Sequence, residues 1–461
     1  MNPIQVGLLG IGTVGGGTFE VLRRNQEEIR RRAGRGIRIT MVADLDTARA
    51  RRLVGEDAEV VGDARAVIAN PAIDIVVELI GGTGMAKALV LEAIAAGKHV
   101  VTANKALLAI HGTEIFAAAR ERGVMVAFEA AVAGGIPIIK ALREGLTANR
   151  IDWIVGIVNG TTNFILSEMR AKGVDFAVAL ADAQRLGYAE ADPTFDIAGI
   201  DAAHKATLMS AIAFGVPVQF ERAHVEGIAG LKAADIAYAE QLGYRIKLLA
   251  ITKRREDHGG DAARAGADAI TGASTGTGGI ELRVHPTLIP AGRLISSVEG
   301  AMNAVMVHGD AVGTTLYYGK GAGAEPTASA VIADLVDITR LHTADPHHRV
   351  PHLAFQPASM QDTPILPIAD VVTSFYLRLQ VADQAGVLAR ITGILAEHDI
   401  SIDALLQRPG EQVQPSDDER TDVIILTHDT VEGRMVTAVG QMQALPTVLA
   451  PIIRIRKEEL S

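Results

Sequence analysis

The stretch Ile4-Gln-Val-Gly-Leu-Leu-Gly-Ile-Gly-Thr-Val-Gly15 decides the fold of this chain. Residues 4–9 are an apolar run typical of a buried strand, and apolar side chains follow at helical spacing. A strand, Gly-x-Gly-x-x-Gly and a helix in this order indicate a dinucleotide-binding turn, in which backbone N–H groups meet the pyrophosphate. The predicted cofactor-binding residues of this turn are Gly10, Gly12, Thr13, Val14 and Gly15. A glycine-rich turn in some other α/β domain is the alternative.

Strands continue to alternate with helices, which predicts an α/β fold with a Rossmann-type doubly wound parallel sheet. The predicted strands after the first are Ile37–Asp44, Ile73–Glu78, His99–Thr102 and Val124–Phe128. Asp44 ends the second strand, where an acceptor for a ribose 2′-hydroxyl belongs, and therefore favours NAD over NADP. The basic side chains of Arg49, Arg51 and Arg52 follow closely and could reverse this preference.

Two further features indicate contacts with a ligand. Lys105 follows the carboxyl end of a strand, where the ligands of parallel sheets collect, although an ordinary surface lysine is the alternative. A second glycine-rich loop, with Gly321 and Gly323, precedes a predicted helix at Ser329–Leu341. Such a loop suits closure over a cofactor, and a simple turn is the competing interpretation.

Composition excludes several classes of protein. The chain has 461 residues, 48% of them apolar, a net charge of −10 and no cysteine. The negative charge argues against binding to nucleic acid through phosphate contacts, and the absence of cysteine excludes disulfides and thiolate chemistry. No secretory leader and no apolar span long enough for a bilayer is evident, so we expect a cytoplasmic protein without membrane contact.

Residues 186–205 concentrate carboxylates before and within a helix that we predict from about Ile197. On that helix Asp201 and Lys205 are four residues apart and share one face. A lysine held beside carboxylates at the mouth of a loop could bind a zwitterion and move a proton. A capped helix with a surface ion pair is the alternative.

Residues 371–461 have the pattern of a separate unit with strands and helices in the βαββαβ order of a ferredoxin-like fold. Gly386 at a helix start, with Asp383 and Val387 beside it, suggests a contact to a small anion or an amino acid. A plain dimerisation module is the competing interpretation.

Three segments are predicted to be irregular. Residues 254–279 lack any apolar period and are predicted to form a flexible surface loop, and residues 408–420 form an extended polar loop. A proline-rich linker covers residues 343–370. The histidines in and beside this linker have no spacing suited to a metal site and are predicted to be exposed: His342, His347, His348 and His352.

Together these motifs resemble one family over nearly the whole chain, homoserine dehydrogenase of the long bacterial form with a C-terminal ACT domain. The motifs are Gly10-x-Gly-x-x-Gly15, Thr102-Ala-Asn-Lys105, Glu129-Ala-Ala-Val-Ala-Gly-Gly-Ile-Pro137, Asn159-Gly-Thr-Thr-Asn163, residues 186–205 and Tyr318-Gly-Lys-Gly-Ala-Gly…Pro-Thr-Ala328. The resemblance implies a dinucleotide-binding domain (1–135 plus 305–342), a central α+β catalytic and dimerisation domain (136–304), a linker (343–370) and an ACT domain (371–461).

The activity implied by the resemblance is the interconversion of L-homoserine and L-aspartate 4-semialdehyde with NAD or NADP. This reaction lies on the branch toward threonine and methionine. The resemblance also implies a homodimer or homotetramer, and threonine is the candidate amino-acid effector of the ACT domain.

The resemblance further implies roles for individual residues. Lys205 matches the proton donor and acceptor, and Lys105 matches a lysine near the nicotinamide and the substrate. The implied substrate-binding residues are Gly160, Thr161, Tyr188, Glu190, Asp196 and Asp201. The implied sodium site uses mainly backbone carbonyls of Glu129, Val132, Gly134 and Ile136. Ligation by oxygen alone suits a hard cation rather than zinc.

The acid–base role constrains the geometry around Lys205. A general base works best with a pKa near the operating pH, so the lysine pKa must fall from about 10.4. Burial or a second lysine lowers it, whereas a close carboxylate raises it. We therefore predict that Asp201 points away from Lys205 toward the substrate ammonium, and that Lys105 supplies the positive charge that lowers the pKa of Lys205.

Two alternatives belong to other classes. An aspartate-semialdehyde dehydrogenase needs a cysteine nucleophile, which this chain lacks. A non-catalytic dinucleotide- and amino-acid-sensing regulatory protein is the second alternative. The presence of Lys105, Glu190, Asp201 and Lys205 argues against it.

Overall fold

The computed structural model describes residues 2–255, 278–409 and 420–460, and their strands form two sheets. The first six strands are β1 (Ile4–Leu9), β2 (Ile37–Ala43), β3 (Glu59–Val61), β4 (Ile75–Glu78), β5 (His99–Thr102) and β6 (Val126–Ala127). They pair in parallel in the order β3-β2-β1-β4-β5-β6. This sheet confirms the predicted Rossmann-type fold.

The helices that cover this sheet connect consecutive strands. They are α1 (Thr13–Arg24), α2 (Gln26–Ala33), α3 (Thr47–Val54), α4 (Ala64–Ala69), α5 (Gly84–Ala95) and α6 (Lys105–Arg122). Two helices follow β1 rather than one, because Asn25 leaves helical geometry between α1 and α2. The side chain of Asn104 caps α6 by accepting the N–H of Leu107, so Lys105 is the first residue of that helix.

The central part of the chain builds a second, mixed sheet. Its strands are β7 (Ile151–Ile157), β8 (His224–Val225), β9 (Tyr244–Arg255), β10 (Gly279–Pro290), β11 (Met302–Gly309) and β12 (Gly313–Lys320). Its helices are α7 (Ile138–Lys140), α8 (Gly160–Lys172), α9 (Phe176–Arg185), α10 (Thr194–Ile197), α11 (Ile200–Phe214), α12 (Ala233–Gln241) and α13 (Ala324–Leu341). Helix α7 continues as a π-helical turn over Ala141–Gly145. The principal strand order is β12-β11-β7-β9-β10.

The position of β11 and β12 corrects the predicted domain division. Residues 305–320 pair within the mixed sheet, whereas they were expected in the dinucleotide-binding domain. Within the predicted segment 305–342, helix α13 does pack on the dinucleotide-binding domain, where it contacts α1. A side chain at Gly17 would overlap the carbonyl of Ala324, and Arg24 pairs with Glu325 at 2.9 Å.

Two helices beside the mixed sheet carry predicted site residues. Residues 159–163 are the N-cap and first turn of α8. The helix expected from Ile197 begins as the short α10 and restarts as α11 after Gly199, whose φ is 83°. From Asp201 to Phe214 every residue of α11 is buried. The helix that carries Lys205 therefore lies inside the core rather than on its surface.

The C-terminal unit has the ferredoxin-like fold that was predicted. Its strands are β13 (Val372–Ala382), β14 (Ile402–Pro409), β15 (Arg420–Thr427), β16 (Thr430–Val431) and β17 (Ile453–Lys457), and its helices are α14 (Val387–Glu397) and α15 (Glu432–Gln443). The antiparallel order is β17-β13-β15-β14. Strand β17 also pairs in parallel with β10, so this unit is continuous with the mixed sheet and not separate from it.

The linker histidines do not all behave as expected. His348 is exposed, but His342 and His352 are partly buried. Nε2 of His352 accepts the N–H of Val126 at 3.1 Å, and its ring stacks on Phe116. The segments expected as loops at 254–279 and 408–420 lie largely outside the described residues, and their described ends belong to β9, β10, β14 and β15. Among the helices that the structure describes, none combines the length and apolarity of a membrane span.

Candidate active site

Lys205 lies at the centre of the candidate site, on the face of α11 that meets the carboxyl end of β7. Its side chain is buried, and Nζ donates to the carbonyl of Val158 at 2.7 Å and to Oδ2 of Asp201 at 2.6 Å. An ammonium group has three donors. One donor of Lys205 is therefore left to face a ligand.

Asp201 joins two lysines. Its Oδ1 lies 3.1 Å from Nζ of Lys105, which reaches it from the start of α6. The predicted divergence of Asp201 from Lys205 is therefore wrong. Positions i and i+4 share a helix face, and a carboxylate as buried as Asp201 needs an opposite charge in contact.

The net effect of these surroundings is still to lower the pKa of Lys205, as the proton-transfer hypothesis requires. Burial is the largest cause, the positive charge of Lys105 adds to it, and Asp201 opposes both. Burial alone would raise the pKa of Asp201, but the two ammonium groups outweigh it and hold that pKa well below its usual range. Asp201 therefore stays charged, and Lys205 loses its proton at a lower pH than an ordinary lysine does.

Asn159 connects the lysine cluster to a second carboxylate. Its Oδ1 caps α8 by accepting the N–H of Thr162 at 2.8 Å, while Nδ2 donates to Asp201 at 2.8 Å and to Asp196 at 2.7 Å. Burial raises the pKa of Asp196, against the opposing hydrogen bond from Asn159. The helix cap therefore places both carboxylates against one amide. The role of Asn159 was missed, although an Asn before an apolar helix is a recognisable N-cap signal.

The remaining predicted substrate-binding residues surround this cluster to different degrees. The hydroxyl of Thr161 donates to the carbonyl of Tyr188 at 2.7 Å, and the half-exposed Tyr188 ring stacks on Phe164. Gly160 opens α8, where a Cβ would lie 2.8 Å from the carbonyl of Ala301. Glu190 is exposed, and no hydrogen bond or ion pair joins its carboxylate to another described residue. The structure thus brings together all of the predicted substrate-binding residues except Glu190.

The glycine turn after β1 has the geometry that a dinucleotide requires. Gly10 has a φ of 90°, and a Cβ at Gly15 would overlap the carbonyl of Gly10. At Gly12 a Cβ would meet open space, which leaves room for a pyrophosphate over the backbone. Thr13 and Val14 form the first turn of α1, so their N–H groups face that space.

Asp44 approaches the same turn from the end of β2. Its Oδ2 accepts the N–H of Ile11 at 2.8 Å, and its Oδ1 accepts the N–H of Asp46 at 2.9 Å. Each carboxylate oxygen retains a lone pair for a ribose hydroxyl. The residues present therefore fit a dinucleotide.

Glu78 supports the neighbouring strand ends and was missed from the sequence. Its buried carboxylate accepts the N–H groups of Ile80 and Gly81 and the hydroxyl of Thr102. Asn104 then donates to the carbonyl of Gly82 at 2.7 Å while it caps α6. These bonds hold the start of α6 and thereby the position of Lys105. A buried glutamate at a strand end has no distinguishing sequence signal.

The second glycine loop lies against the predicted cation segment. A Cβ at Gly134 would overlap the carbonyl of Gly321, and one at Gly321 would overlap the amide of Asn303. Gly323 has a φ of 133° and is the N-cap of α13. This close approach requires glycine at Gly134 and Gly321 and brings two predicted site segments together, with Asn303 beside them.

The predicted cation segment is a tight backbone turn. Ala133 and Gly134 both have positive φ, at 56° and 51°. The carboxylate of Glu129 accepts the N–H groups of Ile139 and Lys140, and burial raises its pKa to about 7. Its side chain therefore binds the start of α7, and the backbone carbonyls of the turn remain the predicted ligands. Among the described residues, no group of three or more His, Asp or Glu side chains could hold a metal.

The predicted effector residues lie at the start of α14. Gly386 is the N-cap, with a φ of 89°, Asp383 is exposed, and Val387 is buried. Gly386 therefore lies at a helix start, as expected. The described contacts of these three residues do not indicate a particular ligand.

Family models match three consecutive parts of the chain. The NAD-binding domain of homoserine dehydrogenase matches residues 10–129, homoserine dehydrogenase matches residues 137–336, and the ACT domain matches residues 375–442.

Individual relatives agree with these matches. A homoserine dehydrogenase from Pseudomonas aeruginosa is 56% identical over 467 residues, with 100% of each chain covered. The crystal structure of a homoserine dehydrogenase from Thiobacillus denitrificans is 61% identical and has a TM-score of 0.90, covering 100% of this chain and 99% of its own. A structure of the S. aureus homoserine dehydrogenase has a TM-score of 0.71 at 29% identity and covers 99% of both chains. The chain therefore belongs to the homoserine dehydrogenase family, oxidoreductases that act on a CH–OH group.

Proposed function

We propose that this chain interconverts L-homoserine and L-aspartate 4-semialdehyde, with Lys205 as the proton donor and acceptor. The observation that carries the proposal is the arrangement of Lys205 and Lys105 on opposite oxygens of one buried carboxylate, Asp201. This arrangement lies at the carboxyl ends of β5 and β7, beside the turn that fits a dinucleotide. It supplies a buried amine with a lowered pKa where a hydroxyl must lose its proton.

When bound, the nicotinamide cofactor supplies the acceptor for the hydride of the carbinol carbon. In the oxidation direction, neutral Lys205 accepts the hydroxyl proton on Nζ as the O–H bond breaks and the C=O bond forms. In the reduction direction, the Lys205 ammonium returns that proton to the oxygen. The hydrogen bond from Nζ to Val158 orients the amine in both directions.

Lys105 and Asp201 adjust this proton transfer. The charge of Lys105 favours the neutral form of Lys205, and Asp201 keeps the two nitrogens close together. Asp201 also retains acceptor capacity for the substrate ammonium, since its Oδ1 has one protein partner, Lys105. Asp196 and the exposed Glu190 are further proposed partners of the ammonium, and Gly160, Thr161 and Tyr188 are the other proposed substrate-binding residues.

The cofactor is NAD or NADP, and we propose a weak preference for NAD. The preference rests on Asp44, whose carboxylate faces the glycine turn and would repel a 2′-phosphate. The proposed cofactor contacts are completed by Gly321, Gly323 and Lys105. Parallel assays of homoserine oxidation with NAD and with NADP compare kcat/KM directly. A higher value with NADP would refute the preference.

A sodium ion is proposed at the turn formed by residues 129–136. Two of its four proposed carbonyls already accept an N–H, Glu129 from Val132 and Ile136 from Ile138, and a carbonyl has a second lone pair for a cation. Activity and melting temperature measured in sodium, potassium and tetramethylammonium salts at equal ionic strength test the site. Equal values in all three salts would exclude a role for the ion.

Regulation and assembly are further parts of the proposal. Threonine is the proposed effector at Asp383, Gly386 and Val387, and the proposed assembly is a homodimer or homotetramer. Inhibition of turnover by added threonine tests the proposed effector. Light scattering of the protein as it elutes from a size-exclusion column tests the proposed assembly. The proposed pathway is that of threonine and methionine.

The decisive experiment is homoserine-dependent formation of NADH or NADPH by the purified full-length chain at alkaline pH. Turnover with homoserine supports an enzyme. Binding of cofactor and amino acid without turnover would support the competing function, a regulatory sensor. The presence of a buried Lys205 with a lowered pKa favours the enzyme.

A further inference from the structure

The amide of Asn303 is buried beside the candidate site and has no hydrogen-bond partner among the described residues. Its side chain is 1% exposed, and neither Nδ2 nor Oδ1 has a hydrogen bond among the described residues. An unpaired buried amide is costly, because it loses its bonds to water and gains none in exchange. Native structures contain few such groups, and each calls for an explanation.

The Asn303 amide lies between two segments of the candidate site, the second glycine loop at Gly321 and the start of α8 at Gly160. Asn303 lies on β11 opposite Gly319 of β12, and the next residue, Ala304, pairs with Ile157 of β7. The residues that follow Ile157 are Val158, whose carbonyl binds Lys205, and Asn159, which caps α8. The amide itself occupies the space above Gly321 and lies 3.6 Å from where a Cβ of Gly160 would stand.

Alternation along β11 shows which way the side chain faces. Val305 and Val307 belong to the hydrophobic cluster that contains residues of α8 and α11, whereas Ala304 and Met306 belong to a cluster on the other face. Residues 303, 305 and 307 share a face of the strand. Asn303 is therefore on the side of the sheet that carries Lys205 and the N-terminus of α8.

The N-terminus of α8 has backbone N–H groups without hydrogen-bond partners among the described residues. The first turn of a helix leaves its N–H groups without intrahelical partners, and Asn159 caps the one of Thr162. The N–H groups of Gly160 and Thr161 have no partner among the described residues, and Oδ1 of Asn303 lies 3.6 Å from where a Cβ of Gly160 would stand. Backbone donors at a helix N-terminus together with an unpaired amide suit a carboxylate.

We propose that Asn303 is a substrate-binding residue that recognises the α-amino-carboxylate end of the amino-acid substrate. Its Nδ2 donates to the carboxylate, which also accepts from the N–H groups of Gly160 and Thr161. Its Oδ1 accepts from the adjacent ammonium, whose other partner is Asp201. An amide is suited to this end of the substrate because it provides a donor and an acceptor side by side. This inference rests on the proposed function, since it takes homoserine as the substrate.

The test uses the full-length protein with Asn303→Leu and Asn303→Asp. The leucine variant keeps the volume and removes both polar atoms, whereas the aspartate variant replaces the donor by a negative charge. We expect the KM for homoserine to rise about 10–100-fold in N303L and further in N303D, because a hydrogen bond to a charged group is lost. The KM for the cofactor should stay within about twofold. The ligand-free N303L protein should melt no lower than the wild type, since no internal hydrogen bond is broken.

Asn149→Leu is the matched control. Asn149 lies beside the other end of β11, and its amide is paired, donating to the carbonyl of Leu146 and accepting the N–H of Val312. The same substitution there should lower the melting temperature and leave the KM for homoserine unchanged. A loss of stability in N303L as large as that in N149L would show that the Asn303 amide is already satisfied, for instance by a bound water, and would overturn the proposal.

Two other outcomes would also overturn it. An unchanged KM for homoserine in folded N303L would remove the substrate contact. A rise confined to the cofactor KM would assign the amide to the carboxamide of the nicotinamide instead. Calorimetric binding of homoserine to the wild type and N303L reports on the contact even if the wild type shows no turnover, so failure of the inference and failure of the proposed function are distinguishable.

Discussion

Nζ of Lys205 lies 2.6 Å from Oδ2 of Asp201, one turn earlier on the same buried helix. A contact of this kind ordinarily raises the pKa of a lysine. Here burial and the charge of Lys105, which binds the other oxygen of Asp201, reverse the net effect. The carboxylate therefore positions the amine without preventing the loss of its proton.

Removal of the amine should abolish most of the turnover. We expect Lys205→Ala to lower kcat by about 10²–10⁴-fold, the usual contribution of a general acid or base, with the dissociation constant of the cofactor unchanged. Steady-state kinetics and fluorescence titration of the cofactor measure the two quantities. The control is Lys98→Met, because Lys98 is also buried but donates to the carbonyls of Asn70 and Ile73, at the amino ends of the strands. K98M should lose stability and keep its kcat, and a near-normal kcat in K205A would refute the assignment.

The charge of Lys105 should be visible in the pH profile. Because Lys105 lowers the pKa of Lys205, Lys105→Met should raise it and move the rising limb of kcat for homoserine oxidation to higher pH. Asp201→Asn removes the opposing influence and should move the limb to lower pH. The reduction direction needs the protonated amine, so its limb falls as pH rises. Profiles of kcat for the three proteins test the signs, and coincident limbs would exclude Lys205 as the titrating group.

The junction between α12 and the C-terminal unit depends on a buried ion pair. Nε and Nη2 of Arg378 on β13 donate to the two oxygens of Asp235, at 2.6 and 3.2 Å, and the Asp235 side chain is fully buried. Arg378→Met leaves that carboxylate without its counter-charge and should cost about 3–5 kcal/mol in the free energy of unfolding. Arg434→Met, which breaks the exposed pair with Asp399, should cost less than about 1 kcal/mol. Denaturant titrations measure both, and equal losses would contradict the proposed junction.

His352 should make folding stability depend on pH. Burial, with a smaller contribution from nearby arginines, lowers its pKa to about 4 from the ordinary 6.5, and its neutral Nε2 accepts the N–H of Val126. The unfolded chain then binds more protons between these values, so this stabilisation is complete above about pH 6.5 and is lost as pH falls toward 4. His352→Gln keeps an acceptor but does not titrate, and should reduce the slope of the unfolding free energy with pH by at most about 1.4 kcal/mol per pH unit. An unchanged slope would show that His352 does not titrate in this range.

Local sequence patterns were sufficient for the features that depend on neighbouring residues. Gly10, Gly12 and Gly15 identify the dinucleotide turn because Gly10 and Gly15 are needed for its local backbone geometry, and Gly12 leaves open space above the backbone. The βαββαβ order of the C-terminal unit follows in the same way from apolar periodicity. The spacing of Asp201 and Lys205 indicated a shared helix face, and the structure confirms that face.

Only the tertiary structure decided which side chains from these local elements come into contact. The contact between Asp201 and Lys205 follows from the complete burial of α11, because a desolvated carboxylate must be paired, and burial is set by elements far along the chain. The same holds for Lys105, Asn303 and the pairing of β17 with β10, each of which joins residues that are distant in sequence. The sequence by itself thus determined the local elements and the types of residue available for chemistry. Long-range packing determined which charges and amides come into contact, since pKa values and unpaired polar groups depend on the surroundings of a side chain and not on its neighbours in sequence.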